Sequence, residues 1–125
     1  MSRLPDKFRE RAKRYAVALI RLFDEIPKHS DDVRHLTSQL LRAATSVASS
    51  VRSASRARSA AAFVSKLDAA LEEADRTLFS LELLREQCSV SAKLTEPLEK
   101  ESAELIAIFT TMIERTLEPD QKVKS

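Results

Sequence analysis

The chain has 125 residues, 43% of them hydrophobic and 32% charged, with a net charge of only +2 and no glycine, where average usage would supply about nine. Without glycine, the tight hairpin turns and phosphate-cradling loops that need positive φ lose their usual material. One cysteine, Cys88, excludes an internal disulfide.

Four prolines, at positions 5, 27, 97 and 119, leave long uninterrupted stretches rich in alanine, leucine, arginine and glutamate. Such a chain is expected to be all-α. The first helix should run from about 6 to 26, because Phe8, Ala12, Tyr15, Leu19, Leu22 and Ile26 recur at steps of three and four. Pro27 disfavours a helical residue before it.

Ser30 is suited to cap a second helix over about 30–56, and Asp31 and Asp32 favour its positive dipole end. Val33, Leu36, Leu40, Ala44, Val47, Val51 and Ala54 supply its apolar stripe. The segment "SVASSVRSASRARSAAAF" at 46–63 reads at first as a Ser/Arg tail, with six serines and three arginines. Val47, Val51 and Ala54 nevertheless keep the phase of a helix begun some fifteen residues earlier, which a disordered segment has no reason to do. Val47 and Val51 are therefore expected inside, and Arg52 and Arg56 outside.

A break between Ala54 and Arg58, with Ser59 as the next cap, starts a third helix over about 59–87. Its stripe is Phe63, Leu67, Ala70, Ala74, Leu78, Leu81 and Leu84. The fourth, about 95–118, is expected to be capped by Thr95 with Pro97 in its first turn. Leu98, Leu105, Phe109, Met112 and Leu117 form its apolar side, and 119–125 is expected to fray. The expectation is one domain over 1–125, an antiparallel up-down-up-down four-helix bundle.

Charge divides unevenly between the halves. Residues 1–58 carry thirteen Lys and Arg against six Asp and Glu, whereas 59–125 carry eight against thirteen. Lys7, Arg11, Arg14 and Arg21 fall on one flank of the first helix with Arg3, and Arg9 and Lys13 on the other. Arg42, Arg52 and Arg56 share a polar face of the second helix with Thr45 and Ser49, and Arg58 follows in the turn. Several guanidinium groups together can hold phosphates through bidentate hydrogen bonds. The competing reading is that these long side chains merely cover the edges of the apolar stripes. Tyr15 and most phenylalanines lie in phase with the core, which argues against base stacking and single-strand recognition.

Catalytic chemistry finds no support. His29 and His35 straddle a helix start and lack the Cys or carboxylate spacing of a metal site. Cys88 has no His–acid constellation nearby, and no serine sits in a nucleophile elbow. No Glu-x-x-His pair of the di-iron bundles occurs. No catalytic, cofactor or metal residues are expected, and no small-molecule substrate. The Ala-Val-Ala-Leu-Ile run at 16–20 is too short to span a bilayer, so no membrane role and a cytoplasmic location are expected.

"LTSQLLRAATSVASSV" followed by "SRARSAAAFVSKLDAA" resembles the centre of the bacterial 23S ribosomal RNA intervening-sequence proteins. Leu36, Thr37, Gln39, Arg42, Ala43, Ala44, Ser46, Val47, Val51, Arg58, Ser59, Phe63, Leu67 and Ala70 fit the family pattern in register. Ala48, Ser50, Ser53, Ala54, Arg56, Ala57 and Ala62 depart from it, replacing both its glycines and the Glu of its capping box. The resemblance implies an antiparallel four-helix bundle that associates into ring-like homo-pentamers, with no enzymatic activity. A related branch, the accessory variability determinants of diversity-generating retroelements, binds a reverse transcriptase and its RNA. Two functions stay open: a self-assembling bundle with RNA, DNA or a nucleic-acid enzyme as partner, and a purely structural protein–protein interaction module.

Overall fold

Four helices account for nearly all of residues 4–118, the part of the chain that the computed structural model describes. They are α1 (Asp6–Glu25), α2 (Asp31–Ser55), α3 (Ala60–Gln87) and α4 (Ala92–Leu117). Arg3 and the expected fraying tail at 119–125 lie outside the described residues.

Each boundary has a local cause. Ahead of Pro27, Ile26 turns to extended geometry at φ −80° and ψ 122°, which ends α1. The Ser30 hydroxyl accepts the Val33 N–H at 3.2 Å, and the Ser59 hydroxyl accepts the Ala62 N–H at 3.1 Å. Both serines cap as their sequence positions predict.

The fourth helix departs from expectation. It begins at Ala92 with Ser91 as its cap, three residues ahead of Thr95. Thr95 is instead fully buried, and Pro97 lies inside the helix. The Leu94 and Thr95 N–H groups both reach back to the Ser91 carbonyl, at 3.0 and 3.3 Å, so the turn is already wound before the proline. Pro97 deprives only the Lys93 carbonyl of its usual helical donor.

Neighbouring helices run antiparallel in an up-down-up-down bundle. Gln39 on α2 meets Ser80 on α3, and Arg11 and Tyr15 on α1 meet Glu101 and Ser102 on α4. Ala12, Tyr15, Leu19, Leu40, Val47, Val51, Leu67, Leu81, Leu84, Leu105 and Phe109 fill one shared core. Val47, Val51 and Ala54 are fully buried, and Arg52 and Arg56 are exposed, as the helical phase of the Ser/Arg segment requires. Leu117, expected on the inner side of α4, is instead 63% exposed in the helix's last turn.

The seams differ in width. Ala16, Ala44 and Ala48 leave an open groove between α1 and α2. α1 and α4 touch only sparsely, and polar side chains bridge them. The Tyr15 and Ser102 hydroxyls share a 2.6 Å hydrogen bond there, deep enough that burial raises the tyrosine's ionisation above its ordinary range.

Candidate functional site

Charge is unevenly spread over the bundle. α1 and α2, which carry most of the arginines, pack side by side; the acidic α3 flanks α2, and the acidic α4 packs against α3. Along the outside of α2, Arg42, Thr45, Ser49, Arg52 and Arg56 are all exposed, spaced three and four residues apart. Fourteen residues of helix make this ridge about 21 Å long. Arg58 extends it into the exposed α2–α3 turn.

A groove of about 510 Å³ runs between this ridge and α1. Its floor is Ala16, Ala44 and Ala48, and its walls carry Arg9, Lys13 and Arg52 with the Thr45 and Ser49 hydroxyls. Small floor residues allow an extended polyanion to lie close to the helix backbones. Glu10 is the acidic residue on its lining. Among the described residues no carboxylate is within ion-pair distance of Lys13, Arg42, Arg52, Arg56 or Arg58. Their charge is available to a ligand.

The other basic positions fare differently. Arg11 is committed inside the molecule. Its Nε and Nη2 donate to the two carboxylate oxygens of Glu101 at 2.8 and 2.7 Å, and Nη2 also reaches Glu104 at 2.7 Å. Those two carboxylates hold the guanidinium in its charged form even more firmly than usual. Arg14 and Arg21 line a separate α1–α4 groove with Val17, Leu94 and Pro97. The Lys7 ammonium sits 5.2 Å from the centre of the Phe8 ring. The seven basic positions singled out in the sequence therefore do not form one patch: Arg42, Arg52, Arg56 and Arg58 share the α2 ridge, and Lys7, Arg11 and Arg14 stand apart from it. Arg9 and Lys13, on the opposite flank of α1, join the ridge.

Two apolar features also face outward. Val17, Ile20 and Leu41 are each about 40% exposed. Ala16 shares the groove with Thr45; one turn further along α1 is Ile20, and one turn back along α2 is Leu41. Register therefore carries the α1–α2 face from basic at one end to apolar at the other. Phe79 on α3 is 61% exposed, off the phase of its helix's buried stripe.

His29 and His35 are both exposed, the latter 3.3 Å from the Gln39 amide nitrogen. Cys88 is half-buried at the end of α3. No group of three or more His, Cys, Asp or Glu among the described residues could hold a metal ion. No helix among them is long and apolar enough to cross a membrane.

A family model described as 23S rRNA-intervening sequence protein matches residues 7–111. A solved structure from Bacteroides thetaiotaomicron, a protein of unknown function from the S23 ribosomal protein family, superposes with a TM-score of 0.74. It is 28% identical, and the match covers 84% of this chain and 96% of that one. Among curated proteins, none matches the chain.

Proposed function

Because the chain belongs to the 23S rRNA-intervening sequence protein family, we propose that it is a non-enzymatic, self-assembling bundle whose α1–α2 face holds RNA by its phosphates. The observation that carries this reading is the ridge of Arg42, Arg52, Arg56 and Arg58 beside a groove walled by Arg9 and Lys13. The flanking acidic residues do not neutralise the ridge, since among the described residues no carboxylate pairs with Arg42, Arg52, Arg56 or Arg58.

One subunit offers too few cations for tight binding. A closed ring repeats them around its axis, and each engaged subunit raises the effective concentration of the next. The apolar end of the same face, with Ile20 and Leu41, supports a contact between subunits. That end also favours the second reading, an assembly module with no nucleic-acid role.

Titration against a mixed-sequence RNA at low and moderate salt separates the two readings. Binding at low salt, falling steeply with added salt, is expected for wild type. Arg52→Glu with Arg56→Glu should weaken it and flatten the salt dependence without changing the particle mass. No binding at low salt would leave the assembly module alone.

A further inference from the structure

On the far side of the α2 ridge from the basic groove lies a smaller recess, about 230 Å³, between α2 and α3. Gln39, Arg42, Arg76, Thr77, Phe79 and Ser80 line it, together with Ala43 and Glu73. We propose that this recess is a base-binding subsite: Phe79 stacks against one unpaired nucleobase while Arg42 and Arg76 hold the flanking phosphates. The proposal deepens the phosphate-binding reading above and rests on it.

Four observations converge on the site. Phe79 is 61% exposed, yet among the described residues no cation covers its ring. Phe8 and Phe23 differ: Lys7 and Lys28 lie 5.2 and 4.1 Å from their ring centres. A bare ring edged by guanidinium groups is the arrangement that single-strand binders use, since every base has a π-face and its phosphates follow close behind. Arg42 has no carboxylate partner among the described residues. Arg76 has a long contact, 3.3 Å, to Glu73, and its side chain is mostly exposed.

The polar wall suits a base edge. The Ser80 hydroxyl donates to Gln39 Oε1 at 3.0 Å, which orients the amide. Its NH2 group lies 3.3 Å from a His35 ring nitrogen and keeps a second hydrogen to offer. The Thr77 hydroxyl donates to the Glu73 carbonyl and is buried against Tyr15, which leaves the Gln39 amide as the group that meets a base edge. The recess is below the size range of pockets that enclose whole ligands, so it takes a ring and leaves sugar and phosphate at its rim. Glu72 and Asp75 are exposed on α3 and Glu73 pairs with Arg76 in the recess, so the larger share of the phosphate contact falls to Arg42 and the α2 ridge, with Arg76 second. A duplex, with its bases stacked inside, cannot use such a site.

The test compares an unstructured single-stranded oligouridine with an RNA duplex of equal length, binding wild type, Phe79→Ala, and Lys13→Glu with Arg52→Glu. Phe79 is exposed, so Phe79→Ala is expected to fold normally, with circular dichroism as the check. Phe79→Ala should weaken single-strand binding roughly fivefold or more. It should leave duplex affinity and the salt slope unchanged, because it removes no phosphate contact. A Phe79→Trp variant should bind single strands with quenching of its fluorescence. If Phe79→Ala binds single strands as wild type does while the charge variant loses both ligands, the stacking site is wrong and the groove stands. If Phe79→Ala instead changes the particle mass and no RNA affinity, Phe79 is a protein contact and the proposal fails. If wild type binds neither RNA, both readings fall.

Discussion

Arg11 on α1 grips Glu101 on α4 with two parallel hydrogen bonds, 2.8 and 2.7 Å long, across ninety residues of sequence. Both side chains are about a quarter exposed, and Glu104 adds a second carboxylate. Because α1 and α4 touch sparsely elsewhere, this fork and the Tyr15–Ser102 hydrogen bond fasten the bundle's loosest seam. A planar fork on a half-buried carboxylate is worth more than a solvated ion pair.

Arg11→Ala should therefore lower stability by about 1–2 kcal/mol in urea unfolding. A double-mutant cycle with Glu101→Gln should return a coupling of about 1 kcal/mol. Zero coupling would show that the pair adds nothing beyond two solvated charges. RNA affinity should be unchanged, since this guanidinium is already occupied.

A second pair fixes the response to acid. Arg85 Nε and Nη2 donate to Glu99, each at 2.9 Å, and this holds the Glu99 carboxyl below its ordinary range. The folded state thus binds this proton less readily than the unfolded chain, whose glutamates titrate near about 4.3. The pair's contribution is complete above that pH and is lost as pH falls through the folded value. Glu99→Gln should cost roughly 1 kcal/mol at neutral pH. The difference from wild type should shrink as pH drops below about 4. A difference that stays constant down to pH 2 would overturn this assignment.

The absence of glycine leaves a mark at the α3–α4 turn. Ser89, just after the C-terminal end of α3, adopts φ 59°, the left-handed region where a side chain is costly. The turn still closes, with the Val90 N–H donating to the Leu84 carbonyl at 3.0 Å. Ser89→Gly removes the Cβ penalty, partly offset by the greater freedom of glycine when unfolded. It should raise the urea midpoint by the equivalent of about 0.5–1 kcal/mol. A lowered midpoint would mean that the serine side chain stabilises the turn.

The fold was legible because helical phase is a local property. Val47 and Val51 are placed inside by their spacing from Val33 and Leu40, and no tertiary information is needed. The α4 start was misplaced because Pro97 is suited to a first helical position, a preference that Ser91 and the backbone at Leu94 and Thr95 override. Arg11 looked like a free cation because its partners lie ninety residues away, beyond any periodicity. Phe79 carried a signal that the inner stripe concealed. An aromatic between Thr77 and Ser80, off the phase of Ala74, Leu81 and Leu84, can only face outward on a straight helix.

Assembly is the premise on which the multivalent binding depends. The mass of the unmodified chain in solution, by light scattering at micromolar concentration, tests it most directly. A closed multiple of 14.0 kDa, near five, is the expected result. Ile20→Glu with Leu41→Glu should reduce the particle to a folded monomer, because both residues lie at the apolar end of the α1–α2 face. A wild-type particle of 14 kDa would contradict the account.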